Sequence, residues 1–559
     1  MLYLTADNFP VFVPFGVIGF YRYLWYCIRL AAAFTYRPVP IPDNPTYIAS
    51  EDVTIIVPTI DAGEEFKEAA RSWLVGKPKE ILIITEEKMF GPLQDLANAV
   101  DPERIKVLTV PFANKRLQMA EGIRNTSTDI IVFSDDDAIW PPTLLPYVLA
   151  CFEDQSIGGV GTSQRVKPVG NKLTVWETLA AFRLSIRNIE ISCSTHIDGG
   201  IPCLSGRTAA YRTIILKDPA FLHGFTHDYW LGKYQLNSGD DKFLTRWMVR
   251  NGWGTYVQCC KEAELLSTMK PNWRFLKQVL RWTRNTWRSD LRSLFMERDI
   301  WTKHPYVAYT MVDKLFNPFT LLAGPCLVAY LVYKSTIPSD SGGYHLPWWN
   351  ILLSYLVWLL ATRTAKLLPH LWYRPQDIVY VPAFIAFGYY FAIMKLYALC
   401  TLHETGWGTR TGIGDIAAAT AAADKLDAGI SDVGPGSRAV NTDTGGGVLH
   451  TNPNAPSNGR GRQSEQTDRS LSRSFGRTSG EKSYITYHSN ENASSRNGGD
   501  PFSDDYVGRG GGATSGHPGS VYNAGSSYGG SMISRRAVLE GDEDDRNERE
   551  GVYESYPRR

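Results

Sequence analysis

The sequence predicts an α/β domain, a mostly parallel sheet with helices on both faces, joined to a membrane region and followed by a polar tail. Three observations predict it. Four short, β-branched apolar runs alternate with helical stretches between residues 50 and 135. Long apolar segments stand near the start of the chain and at 315–402. After residue 412 the chain is nearly all Gly, Ser, Asn, Asp, Glu and Arg. The hydrophobic content of 43% therefore averages over unlike regions. The resulting division is a transmembrane anchor at 1–37, the α/β domain at 38–270, amphipathic interface helices at 271–314, membrane helices at 315–411 and a disordered tail at 412–559.

The first apolar segment, FPVFVPFGVIGFYRYLWYCIRLAAAF at 9–34, has the length of a span, for which roughly 20 apolar residues suffice. Arg22 and Arg29 interrupt it, so it either spans with snorkelling arginines or lies partly at the interface. No positive charge precedes the apolar run, unlike a secretory signal. Arg22, Arg29 and Arg37 sit toward its C-terminal side, which places the following domain in the cytosol. Pro38–Pro45 reads as a stiff linker.

The runs VTIIV (53–57), ILII (81–84), VLTV (107–110) and IIVF (130–133) read as buried strands. Helical stretches such as Glu64–Val75 and Lys115–Ile123 separate them. Such sheets bind ligands beyond the carboxyl ends of their strands. Residues 273–295 change to a helical period. Leu276, Val279, Leu280, Thr283, Trp287, Leu291 and Leu294 make one face, and Lys277, Arg281, Arg284, Arg288 and Arg292 the other. A basic amphipathic helix just before spans is expected to lie on the inner membrane surface.

Three more apolar segments follow, at 315–333, 346–362 and 378–402, making about four spans in all. Arg363, Lys366 and Arg374 mark the connection between the last two as cytosolic. The tail then falls outside, where Asn492 of Asn492-Ala493-Ser494 is a glycosylation acceptor. The tail lacks apolar periodicity and is expected to be disordered. Net charge is +1, and the interfacial helix accounts for the local cluster of arginines, so no nucleic-acid partner is expected. The eight cysteines form no CxxC pair and read as free thiols.

Three motifs carry chemistry. IIVF runs into Ser134-Asp135-Asp136-Asp137. Such a strand end is either a solvated acidic turn or a site where a divalent cation, Mn²⁺ or Mg²⁺, bridges carboxylates to a diphosphate. Ser238-Gly239-Asp240-Asp241 opens a helical stretch, so its carboxylates are caps or a general base. Gln278, Arg281 and Trp282 share one helix face, as a diphosphate and sugar platform or as a basic surface with an interfacial Trp.

The order of these motifs, ending in membrane spans, resembles the processive family 2 glycosyltransferases: hyaluronan, chitin and cellulose synthases. The resemblance covers roughly 50–410. It includes Val57-Pro58-Thr59, Asn114-Lys115-Arg116, Asp135 and Asp137, CLSG at 203–206 with Tyr211-Arg212, SGDD, QVLRW, RPQDIVYVP at 374–382 and Trp407-Gly408-Thr409-Arg410. The layout looks closest to the fungal type 2 glycosyltransferases, which implies a role in the outer cell wall and in hyphal growth on solid surfaces.

The resemblance implies a GT-A domain on a membrane channel, acting on a UDP-sugar and a polysaccharide acceptor at a lipid bilayer. Asp135 and Asp137 would hold the metal and donor diphosphate. Thr59, Lys115 and Arg281 would contact the nucleotide or diphosphate. Asp241, with Asp240, would supply the base. Cys203, Gln278 and Trp282 would lie at the acceptor. Two departures stand out. Thr85-Glu86-Glu87-Lys88 replaces the usual Asp-rich loop, leaving Glu86 or Glu87 to meet the nucleotide. Arg207 stands where hyaluronan synthases tend to have Pro. A non-processive transferase acting on a lipid and a catalytically inactive membrane scaffold are the competing expectations.

Overall fold

The computed structural model describes residues 3–6, 9–60, 63–338 and 346–406. The expected strands form as β1 (Val53–Pro58), β2 (Glu80–Glu86), β3 (Ile105–Val110) and β4 (Ile130–Ser134). Three further strands complete the sheet: β5 (Ile157–Thr162), β6 (Thr208–Arg212) and β7 (Gly254–Gln258). Their order is β7-β5-β6-β4-β1-β2-β3. Neighbours pair in parallel except at β6, which is antiparallel to both β4 and β5. The sheet is thus mixed through one inserted strand.

Alternation along each strand builds two cores. Val53, Ile55 and Val57 face one side, with Ile81, Ile83, Ile130 and Val132. The helix α1 spans Val13–Thr35, and α2 (Glu64–Val75) covers this face of the sheet with Phe66, Ala69, Ala70 and Trp73. Ile56, Leu82, Ile84, Ile131 and Phe133 face the other side under α3 (Lys115–Asn125). A Cβ at Gly122 would come within 2.7 Å of Ile56 and 2.9 Å of Ile84, so glycine sets how closely α3 approaches the sheet.

The helical region comprises α4 (Val175–Asp198), α5 (Asp240–Arg250), α6 (Arg274–Leu291), α7 (Pro305–Ser335), α8 (Trp348–Tyr373) and α9 (Val381–Cys400). Among the described residues three helical segments are long and apolar enough to cross a membrane: 305–335, 348–373 and 375–400. The fourth expected segment, at 9–34, is not among these three. The difference is α1, where arginines and tyrosines dilute the apolar run. α7 runs unbroken from Pro305 to Ser335, across residues 314 and 315. Phe316, Phe319, Leu353, Val357 and Trp358 are exposed on these helices, as lipid-facing side chains would be.

The C-terminal part of the basic face of α6 is turned inward, while Lys277 stays exposed. Arg288 is buried and donates to the Leu402 and Glu404 carbonyls. Arg292 donates to Asp228. The apolar face, with Phe275 and Val279, packs against Leu367, Phe387 and Met394. Periodicity identified the two faces; it carries no information about which neighbour each one meets.

Asp228 is the hub of this packing. It pairs with Arg116 of α3 at 3.1 Å and with Arg292, and lies 3.9 Å from Arg246 of α5. Burial would raise its pKa, but Arg116, then Arg292 and Arg246, hold it below the usual carboxylate range. Its contribution to stability is therefore present at neutral pH and lost as pH falls through that depressed value. Asp228→Asn strands these guanidiniums and is expected to cost about 3–5 kcal/mol. The thermal midpoint of the full chain in nanodiscs measures it; an unchanged midpoint would show that the arginines find other partners.

Asn492, Trp407-Gly408-Thr409-Arg410 and the tail at 412–559 lie outside the described residues.

Candidate active site

β1, β2 and β4 end at the same edge of the sheet because they run parallel. β4 delivers Asp135, Asp136 and Asp137 there. The three carboxylates have different surroundings. Asp136 accepts from Thr59 Oγ1 at 2.5 Å. Burial, with Asp137 and Asp135 beside it, pushes its carboxyl up to about 7 despite that hydrogen bond. Thr59 itself is 1% exposed and is occupied by this contact. Asp135 and Asp137 instead face cations.

Lys115, the first residue of α3, places Nζ 3.1 Å from Asp135 and 3.2 Å from Asp240. Asn114 caps that helix through the backbone N–H groups of Arg116 and Leu117, which fixes where Lys115 emerges. Burial would lower the Lys115 pKa, but Asp135 and Asp240 outweigh it and hold the ammonium charged. Lys115 thus links the strand-end carboxylates to the GDD segment.

Gly239 has φ +79°, a conformation suited to glycine, and it turns the chain into α5. Asp240 and Asp241 then open the helix. Asp240 is taken by Lys115. Asp241 receives the Cys203 thiol at 3.2 Å and the Lys242 N–H at 2.8 Å. Burial first, then Asp240, raise its pKa against the pull of Lys242, Cys203 and Lys115. Burial pushes the Cys203 thiol well up as well, so it stays protonated as the donor. A small cavity lined by Lys115, Ser134, Gly206, Asp240 and Asp241 lies beneath these groups.

Arg207 is the residue whose role the sequence did not disclose. Its Nη1 is 2.5 Å from Asp137 Oδ1, its Nε is 3.6 Å from Asp135 Oδ2, and its Nη2 donates to Thr268 O. Strand order explains it. β6 pairs Thr208 with Ser134, so the residue before β6 meets the residues after β4. The signal in the sequence was the need of adjacent carboxylates for a counterion.

The other candidates spread outward. Burial lowers the Arg281 pKa, opposed by the charges of Asp135, Asp240 and Asp241. Glu86 ends β2 and pairs with Lys88 at 2.7 Å, whereas Glu87 is exposed. Gln278 has a buried Oε1 with no hydrogen-bond partner. Trp282 packs against the cluster that includes Leu367 and Phe387. Among the described residues no three His, Cys, Asp or Glu side chains converge as a metal cage. Two carboxylates do fit a hard dication that keeps most of its sphere for phosphate and water oxygens, as Mg²⁺ does. All eight cysteines are free.

Comparison with known proteins agrees with this architecture. The family described as "Glycosyltransferase like family 2" matches residues 51–285. A "Type 2 glycosyltransferase" of Zymoseptoria tritici is 42% identical over 394 residues, covering 70% of this chain and 82% of the relative. A "Type 2 glycosyltransferase" of Pyricularia oryzae is 37% identical, covering 74% and 84%. "Hyaluronan synthase 1" of Xenopus laevis is 28% identical, covering 48% and 45%. With long apolar helices beside an α/β domain that carries these carboxylates, the chain belongs to the family 2 glycosyltransferases and is a membrane-associated hexosyltransferase.

Proposed function

We propose that the protein transfers sugar from a UDP-sugar to a growing polysaccharide, with inversion, and passes the product into the membrane helices. The observation that carries this reading is the pair of carboxylate centres joined by Lys115, with Asp241 left free of it. A divalent cation, Mn²⁺ or Mg²⁺, held by Asp135 and Asp137 would supply positive charge to the diphosphate. Lys115 and Arg281 add charge on the same leaving group. Asp241 takes the proton of the attacking acceptor hydroxyl, and the hydroxyl oxygen displaces UDP at the anomeric carbon. One displacement inverts that carbon, so an α-linked donor yields a β-linkage.

A buried base whose pKa is raised matches proton abstraction better than an ordinary carboxylate. Glu86 is the nearer candidate for the nucleotide, since Glu87 points to solvent. Gln278 and Trp282 are assigned to the acceptor side. The catalytic domain is placed in the cytosol at the cell membrane, and the role is assembly of the outer fungal wall during hyphal growth. These assignments rest on the motifs and on the likeness to fungal relatives.

The test is the purified full chain in lipid nanodiscs with Mn²⁺ and a panel of UDP-sugars. UDP release with a long product is expected. One sugar added to a lipid would overturn the polymer, and no release with any donor would overturn the donor class.

A further inference from the structure

Arg281, Asn285 and Arg288 are spaced i, i+4, i+7 on α6, so they share one stripe of that helix. Arg281 is assigned to the leaving group. Asn285, one turn on, meets the turn that precedes the base. Its Oδ1 accepts from Ser238 Oγ at 3.1 Å and from Arg288 Nη2 at 2.6 Å. A guanidinium only donates, so Arg288 dictates that the amide oxygen, not its nitrogen, faces this corner.

The turn is fitted closely to that amide. Gly239 follows Ser238 with φ +79°, and a Cβ there would lie 3.3 Å from Asn285 Cγ. Ser238 is 3% exposed, so its hydroxyl has no water to fall back on. On the other side the turn is tied to the start of α3. Arg116 Nη2 donates to the Ser238 carbonyl at 3.4 Å, and Asn114 donates to Asn237 Oδ1 at 3.0 Å.

Asn285 is itself steadied from behind. Arg288 Nη1 donates to the carbonyls of Leu402 and Glu404 at 2.9 and 3.0 Å. Arg284 pairs with Glu404 at 2.6 Å and donates to Thr401 Oγ1 at 3.0 Å. These residues form the segment that leaves α9. A run of direct hydrogen bonds therefore joins the end of the last apolar helix, through Arg288 and Asn285, to the turn in front of Asp240 and Asp241.

We propose that Asn285 is a positioning residue for the transfer step: it locks the Ser238-Gly239 turn onto α6 and so fixes the base Asp241 relative to Arg281. The proposal rests on the reading of Asp241 as the base. Displacement needs the acceptor oxygen, the anomeric carbon and the departing diphosphate in one geometry, and a misplacement of about 1 Å costs on the order of 10²-fold. The base stands on α5 and the guanidinium on α6. The hydrogen bond from Ser238 to Asn285 crosses from one to the other, just before the GDD carboxylates and one turn after Arg281. Donor binding draws on α6 and the strand-end carboxylates without the turn. Loss of the amide therefore reaches turnover and spares binding.

The test uses the full chain in lipid nanodiscs with Mn²⁺ and whichever of UDP-N-acetylglucosamine, UDP-glucose and UDP-glucuronate the unaltered chain turns over. Asn285→Ala should lower kcat for UDP release by about ten- to a hundredfold, with donor KM and UDP affinity by calorimetry within about twofold. Asn285→Asp keeps the accepting oxygen and should restore most of the rate at a pH above the acid limb. Ser238→Ala removes the same hydrogen bond from the other end, and the double variant should be no slower than Asn285→Ala alone. Losses that multiply in the double variant, a raised KM with kcat unchanged, or Asn285→Asp as slow as Asn285→Ala would each overturn the positioning role. Full turnover in Asp241→Asn, or no release from any donor, removes the base and this proposal with it. Full turnover in Asn285→Ala beside an inactive Asp241→Asn overturns this proposal alone. Where Asn285→Ala fails to fold, Ser238→Ala decides by the same readouts.

Discussion

Asp241→Asn is expected to lower transfer by about 10²–10⁴-fold while metal-dependent UDP binding stays near that of the unaltered chain. The division of labour in the GDD segment is the reason. Asp240 is engaged by Lys115 at 3.2 Å, and that contact survives the substitution. Asp241 stands apart, held by a thiol and a backbone N–H that orient its carboxylate. The amide keeps the shape but cannot accept the proton. Binding and transfer should therefore separate, measured by calorimetry with UDP and by UDP release with donor. Turnover at the original rate would remove Asp241 from the role.

The pH profile gives a second reading of the same residue. The base works deprotonated, and burial with Asp240 raises its pKa. The acid limb of kcat/KM should then lie above the ordinary carboxylate range, with activity lost as pH falls through it. Asp240→Asn removes one of the groups that raises the value and should move this limb to lower pH. A limb that does not move would mean that burial alone sets the value.

Arg207→Ala is expected to tighten Mn²⁺ binding by about tenfold, equivalent to about 1.4 kcal/mol. Arg207 neutralises the carboxylates that the dication needs, with Asp137 at 2.5 Å and Asp135 at 3.6 Å. Burial opposes its charge, but Asp137 and Asp135 outweigh that and keep the guanidinium protonated. It therefore competes at every accessible pH. Removing it also leaves Asp137 without its counterion, while Asp135 keeps Lys115, so the metal-free chain should melt lower and regain more on adding Mn²⁺. Free Mn²⁺ measured by electron paramagnetic resonance, together with melting curves, tests this without reference to turnover. Weaker Mn²⁺ binding in the variant would show that Arg207 supports the metal site instead.

The first half of the sheet was legible because β1 to β4 are continuous apolar, β-branched runs whose pattern needs no partner to be recognised. β5 and β6, IGGVGT and TAAYR, are small and weakly apolar. Their strand character comes from the neighbours that bury them. The same limit applied to α6. Spacing made its two faces plain, but not that Arg288 and Arg292 of the basic one meet the carbonyls at 402 and 404 and Asp228.

By itself the sequence determined the chemistry and its local placement: carboxylates at a strand end, a second pair at a helix start, an arginine on the following helix, and apolar helices after them. Those follow from residue type and from spacing within a turn or a strand. Only the tertiary structure decided which of these groups meet. β6 enters antiparallel beside β4, and that single choice of direction carries Arg207 onto Asp135 and Asp137. The capped start of α3 sets Lys115 between Asp135 and Asp240. Strand order and helix packing are selected by the burial of whole faces, a sum over distant residues that no local spacing records.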